Sequence, residues 1–550
     1  MKKGLAMALV LLWGTHLSAE VQVREGVLDL PTDEEGLPDV NPPFDLFVTR
    51  FNYPYPLRDN ITGRQTKVRY KTLELENEYL KVVVLPELGG HLYTCVDKSN
   101  GAEMFYANRS IRKAQIGYRG AWAAYGIEFN FPVSHNWASM SPVDSATRQN
   151  PDGSASIWVA NVDRVYGMQW RVELRLSPGS ALLEQHVALY NPSPVRHRFY
   201  WWNNAAVRVH DDSRIHYPMR FTASHGFTEV GTWPVDEKGR DLSLVGNHLD
   251  GPVSLFSHGS REAFMGVYHP WSKAGVAHYS SPEDAPTKKI WSFGGDADGI
   301  DWRRALSDDM SAYVEVQAGV FRNQETYGFL EPQASLRFVE YWMPVRAIGG
   351  ITRANPRAVV QIDRKVGKAG TVDLSLGVNV NQTVRGGRLR VRDGARVVHE
   401  EPLDLTPAQS LVRVHAGLPS SPRYTVEVVG GDGSVLLTHT EDAWDYTPES
   451  EIHLGPQPSA KIVPPDQRTD GDFLGQGDTH EREGRLLEAW ETYRQALTRF
   501  PESLGLLKAA GRLAVALKRP DEASPLLARA LARVSNDPEV LYYLGLARAA

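Results

Sequence analysis

LKVVVLP, residues 80–86, sets valines and leucines around a single lysine and stops at a proline. A short β-branched run closed by a turn former predicts a strand. SIWVANV (156–162) and WRVELRL (170–176) repeat the pattern. In the second, Trp170, Val172, Leu174 and Leu176 alternate with charged residues, as in a half-buried antiparallel strand. Such runs recur from 67 to 346 with no long amphipathic helix between them. The expectation is a large β-sandwich over 67–346.

The flanks read differently. Residues 20–66 are rich in Pro, Asp and Asn and predict an extended segment that packs on the larger domain. GGITRANPR reads as a linker. TVDLSLGV, GRLRVRD, SLVRVHAG and RYTVEVVG then predict a small Ig-like β-sandwich over 356–447. Residues 448–482 are polar and Pro-rich and read as a linker. From 483 the period becomes helical, with Ala and Leu on one face of LLEAWETYRQALTRFP and EASPLLARALARVSNDP. Glu488-Ala489 recurs as Glu522-Ala523, Ala496-Leu497 as Ala530-Leu531, and Gly511 as Gly545, at the period of about 34 residues that marks tetratricopeptide repeats. The last helix reaches residue 550 without a partner helix, so the repeats are expected to continue beyond it. The fold class is therefore multidomain and mainly β, with an α-helical C-terminal segment.

A chain of 550 residues with 42% hydrophobic residues can build several cores, and a net charge of -6 gives no reason to expect nucleic acid. The one cysteine, Cys95, excludes an intrachain disulfide and reads as a buried small hydrophobe. Residues 1–19 pair Lys2 and Lys3 with a short apolar run and end in Ser18-Ala19, the form of a secretory signal. A secreted or periplasmic protein, not integral to a membrane, is expected. GxSxG, Walker, CxxC and HExxH motifs are missing from the sequence. GGDADGIDW (294–302) reads as a turn, since it lacks EF-hand spacing. No cofactor and no metal are expected.

LPELGGHLYTCVDKSNGAEMFY (85–106) resembles the opening of galactose-mutarotase-like proteins. Together with GIEFNFPVSHNW (126–137), NNAAVRVHDD (203–212), KKIWSFG (288–294) and YVEVQAG (313–319), it resembles a bacterial family of unknown function, DUF5107. That resemblance implies a mutarotase-like supersandwich, carbohydrate handling and tetratricopeptide repeats after the β-domain.

Two carboxylates stand out. Glu128 lies among aromatics, where desolvation is expected to raise its pKa and suit it to general acid work. Glu315 shares a strand face with Tyr313 and Gln317. As a glycoside hydrolase, the leading reading, the protein would use Glu128 as acid and Glu315 as base or nucleophile on an oligosaccharide or glycoside. As a mutarotase-like epimerase it would use Glu315 as base and His210 or His135 as acid. The third reading is a non-catalytic glycan-binding scaffold whose repeats hold a protein partner. Substrate contacts are expected from His135, Trp137, Trp202, Asn204, Arg119, Lys289 and Trp291. Aromatic rings stack on sugar C–H faces, and polar groups bind the hydroxyls. In FYWWNNAA (199–206), Trp202 and Asn204 are expected to share one face and Trp201 and Asn203 the other.

Overall fold

A computed structural model describes residues 20–40, 52–225, 230–368, 370–420, 422–452, 466–482 and 485–550. The proposed signal, residues 1–19, lies outside them. The chain divides into two compact units, one built mainly of strands and one holding the helices from Asp470 onward.

The first unit is dominated by two antiparallel sheets. The larger orders its strands Gln22–Glu35, Ile61–Glu76, Leu80–Leu85, His91–Asp97, Ile127–Asn130, Trp202–Val209, Ala312–Gly319, Thr287–Ser292, Val253–His258, Phe221–Ala223 and Val230–Thr232, with Ala102–Glu103 beside His91–Asp97. The second orders Arg214–His216, Phe264–His269, Ala274–Ser280, Ser335–Arg346, Leu183–Tyr190, Gln169–Leu176, Ala155–Val162 and Asp144–Gln149. Residues 22–35 are thus a full strand, in register with 61–76 from Gln22↔Glu76 onward.

Alternation explains how the sheets meet. Ile127, Phe129, Ala205, Val207, Ile290, Val314 and Val316 join Ile157, Val172, Leu174 and Trp342 in one buried cluster. Cys95 belongs to it, and burial pushes its thiol well up. The core also holds a polar knot. Glu340, fully buried, accepts from Trp201 Nε1 at 3.3 Å and Gln185 Nε2 at 3.2 Å, contacts His278 Nε2 at 2.8 Å, and accepts from Asn203. A buried carboxylate is tolerated when partners surround it in this way.

The smaller sandwich stacks two four-stranded sheets. One orders Arg353–Ala354, Ala358–Val366, Thr371–Val380 and Leu411–Pro419; the other orders Arg396–Leu405, Val384–Asp393, Tyr424–Val429 and Val435–Thr440. Their inner faces share a core of Val360, Leu374, Leu389, Val391 and Val426.

Two stretches fold differently from the expectation. GGDADGIDW is not a turn: Asp296 caps a helix, Ala297–Leu306, by accepting from Gly299 N at 2.9 Å. The segment 448–482, read as linker, contains the helix Asp470–Arg482. Its three glycines weaken the helical signal. Gly477 is required, because a Cβ there would lie 2.0 Å from the Tyr493 ring. Within the second unit the helices Leu486–Arg499, Leu504–Ala516, Pro520–Arg533 and Pro538–Ala549 follow. The repeated alanines 489, 496, 523 and 530 are all buried. Leu541, Tyr542 and Leu546 of the last helix are exposed.

Candidate active site

The outer face of the large sheet carries polar residues in register. Glu128 pairs with Asn204, Asn204 with Gln317, and Gln317 with Lys289, so four neighbouring strands present one polar row. The next row sets Ala206 beside Glu315 and Glu315 beside Trp291. The apolar partners of these residues all point to the core, so alternation alone puts this chemistry on one face.

Above the rows lies a cavity of about 630 Å³, within the usual range for small-molecule sites. Its lining includes His135, Asn204, Lys289, Trp291, Glu315 and Gln317, with Trp122, Ser134, Tyr200, Trp302, Gln324, Glu325 and Tyr327. It therefore joins polar hydrogen-bonding groups to several aromatic faces.

His135 is held from behind. Its Nδ1 lies 2.6 Å from Glu128 Oε2, and its ring lies 4.9 Å from that of Trp122. Glu128 is itself buried and saturated: it also accepts from Ser139 Oγ, from Trp122 Nε1 at 3.3 Å and from Asn130 Nδ2 at 3.3 Å. Burial alone would raise the Glu128 pKa. The charge and hydrogen bond of His135, with help from His91 and Ser139, outweigh it and hold the carboxyl at about 2. Burial likewise opposes a charged His135, and the Glu128 carboxylate overrides it, raising the imidazole above its ordinary value. With Nδ1 engaged, Nε2 is the nitrogen left for a ligand.

Glu315 sits in a different field. Burial raises its pKa, and His135 and Lys289 only partly oppose this. Gln317 Nε2 donates to it. Gln317 Oε1 accepts from Gln324 Nε2 at 3.0 Å, and Gln324 Oε1 accepts from Lys289 Nζ at 2.7 Å. A hydrogen-bonded chain thus links Lys289 to the carboxylate. Burial pushes Lys289 down to about 8, against the pull of Glu315 and Glu325.

Five of the residues selected from sequence line this cavity: His135, Asn204, Lys289, Trp291 and Glu315. The other five need correction. Glu128 lies behind His135 and outside the lining, and its pKa moves down rather than up, because the charge and hydrogen bond of His135, helped by His91 and Ser139, outweigh desolvation. His210 is exposed against Trp271, with ring centroids 4.7 Å apart. It shares the parity of Asn204 but stands six residues further along the chain, ~20 Å away if the strand stays extended. Trp202 shares the face of Asn204 but is fully buried outside the lining, packed edge-on against Phe256 at 5.5 Å. Trp137 is buried against Tyr55, with centroids 5.8 Å apart. Arg119 donates to Pro56 O at 2.9 Å, Trp137 O at 3.0 Å and Ser141 Oγ at 2.9 Å. It holds a loop and does not line the cavity. Gln324 and Tyr200 escaped the sequence reading. Tyr200 precedes the Trp-Trp-Asn-Asn signal by one residue, and Gln324 lies in a loop whose approach to the sheet has no periodic signature.

Residues 49–345 match the family described as Domain of unknown function (DUF5107), and the chain belongs to that family. Residues 482–545 match a tetratricopeptide repeat model. Among solved structures, a TPR-domain containing protein from Parabacteroides distasonis is similar over 97% of this chain and 87% of its own, at 21% identity and a TM-score of 0.55. A galactose mutarotase-like protein from Lactobacillus casei is similar over 50% of this chain and 99% of its own, at 14% identity and a TM-score of 0.36. One from Clostridium acetobutylicum covers 50% and 96%, at 14% identity and a TM-score of 0.38.

Proposed function

We propose that the protein is a mutarotase-like epimerase acting at the reducing end of a sugar. One observation carries the reading: Glu128 favours a protonated His135, and His135 lines the same cavity as the Glu315 carboxylate. Ring opening needs a base at the anomeric hydroxyl and an acid at the ring oxygen. The Glu315 carboxylate takes the hydroxyl proton. The C1–O1 bond becomes a carbonyl as the bond from C1 to the ring oxygen breaks, and His135 Nε2 gives its proton to that oxygen. Rotation about C1–C2 and reversal of both transfers yield the other anomer. A base with a raised pKa and an acid with a raised pKa bring both groups toward neutral pH, where such transfers work best. Trp291, Trp302 and Tyr327 offer faces for the sugar ring, and Asn204 and Lys289 offer polar contacts.

The hydrolase reading depends on Glu128 as the acid. Behind His135, and held ionised, Glu128 is unsuited to that task. We also propose export, from the basic and apolar start of the sequence, and a protein partner for the repeats. Among the described residues no helix is long and apolar enough to cross a membrane.

The test is anomer exchange by magnetisation-transfer NMR across a panel of aldoses and reducing oligosaccharides. Exchange above the buffer rate, lost in Glu315→Gln, supports the proposal. Binding without exchange would assign a glycan-binding role, and cleavage of aryl glycosides would restore the hydrolase.

A further inference from the structure

On the small sandwich, three side chains converge away from the cavity. His399 and Glu401 alternate onto the same face of Arg396–Leu405 as the buried Leu403 and Leu405. His415 comes from Leu411–Pro419. These two strands belong to different sheets, and each is the last in its sheet. The three residues therefore sit at the open edge between the layers, where the inner faces would ordinarily meet through apolar side chains.

Their polar atoms are not accounted for by the protein. His399 Nε2, His415 Nε2 and Glu401 Oε1 are each buried without a hydrogen-bond partner among the described residues. Buried polar atoms in folded proteins rarely stay unpaired, and here three such atoms belong to one cluster. The two imidazole rings lie 4.0 Å apart, and one ligand atom from each of the three residues lies within 4.8 Å of the others. The second carboxylate oxygen is engaged: Glu401 Oε2 accepts from Arg413 Nε at 3.1 Å. Arg413 thereby orients the carboxylate while Oε1 stays free for a ligand, as outer partners do at metal centres.

We propose that His399, Glu401 and His415 bind a divalent transition-metal ion of the zinc type, which ties the two sheets together at their open edge. Two imidazoles and one carboxylate are a borderline-soft donor set, suited to Zn²⁺ and its neighbours and poorly suited to Mg²⁺ or Ca²⁺. Tetrahedral zinc with bonds of about 2.1 Å holds its ligand atoms ~3.4 Å apart. Side-chain rotation of about an ångström closes the observed spacing, and solvent at the sheet edge supplies the remaining position. His399 and His415 stand on separate strands, and their spacing matches no zinc motif, so nothing in the sequence announces the site.

The experiment uses the full chain, stripped with a chelator and titrated with Zn²⁺ by calorimetry and with Co²⁺ by visible absorption. One equivalent of Zn²⁺ is expected to bind, to raise the thermal midpoint, and to displace Co²⁺ bearing a low-symmetry, imidazole-ligated d–d spectrum. Millimolar Mg²⁺ should leave that spectrum unchanged. Glu401→Gln and the pair His399→Gln with His415→Gln should each weaken binding by at least ~10-fold and remove the thermal shift. Failure of the unmutated chain to take up Zn²⁺ saturably overturns the proposal, whatever the variants do. Uptake that persists unchanged in a folded double variant overturns it as well.

Discussion

Glu128 Oε2 lies 2.6 Å from His135 Nδ1, and this contact assigns different work to the two carboxylates of the outer sheet face. Glu128 backs the imidazole and favours its protonated form; Glu315 lines the cavity. Glu128→Gln keeps the shape and removes the charge. Losing an opposite charge at this distance lowers a histidine pKa by about 1–3 units. The alkaline limb of the rate profile should therefore move to lower pH, with kcat reduced ~10²-fold at pH 7 and KM little changed. A purely structural role for Glu128 would lower the folded fraction and leave the limb in place.

In the proposed mechanism Glu315→Gln removes the base and keeps the hydrogen bonding. Loss of general base catalysis costs about 10²–10⁴ in rate. Anomer exchange should fall to the buffer rate while calorimetry still reports sugar binding. In the unmutated protein the acid limb, set by Glu315 losing its proton, should lie above the ordinary 4.5 of a glutamate, because burial raises it.

Lys289 tunes that limb. Its charge is among the influences lowering the Glu315 pKa, and it reaches the carboxylate through Gln324 and Gln317. Lys289→Met should move the acid limb further up in pH, away from 4.5. The comparison of limbs between the two proteins, measured in one buffer series, checks the sign. An unmoved limb with a raised KM would show that the lysine acts on substrate rather than on Glu315.

The doublets show what alternation makes legible and what it does not. In WWNN and KKIW the chain offers adjacent residues of one type, and the strand separates them. Asn204 and Lys289 line the cavity, whereas Asn203 binds Glu340 in the core and Lys288 Nζ donates to Ser280 Oγ at 2.7 Å. Parity can be read from the sequence, and the pairing of Trp202 with Asn204 on one face follows from it. Which face meets water depends on the second sheet and on loops such as the one bearing Gln324. The sign of the Glu128 shift was hidden for the same reason. Its aromatic neighbours are local in sequence, but the effect of His135 depends on a turn that brings the ring back onto the strand.

The pair also sets acid stability. Glu128 falls from an ordinary 4.5 to about 2 in the folded state. A depressed carboxylate stabilises the fold above its unfolded pKa, and that contribution is lost as pH falls through the folded one. The window is therefore about pH 4.5 down to 2, and the contribution is roughly 3 kcal/mol. His135 is raised, so its share is present below 6.5 and is lost as pH rises through its folded value. Urea unfolding of wild type and Glu128→Gln should differ most near pH 5 and converge toward pH 2.

Gly319 offers a test of the packing beside the site. It pairs with Trp202 across the sheet, and a Cβ on it would lie 2.1 Å from the indole ring. Trp202 is fully buried and packs on Phe256, and Lys289 Nζ lies 5.0 Å from the centre of that phenylalanine ring. Gly319→Ala must therefore move the indole or bend the strand. Overpacking of this kind costs about 1–3 kcal/mol, read as a lower urea midpoint at unchanged slope. Because the displaced indole supports Phe256 and the phenylalanine lies under Lys289, KM for the sugar should rise as well. An unchanged midpoint would mean that the sheet has room at Gly319, and that Trp202 does not fix the packing beside Lys289.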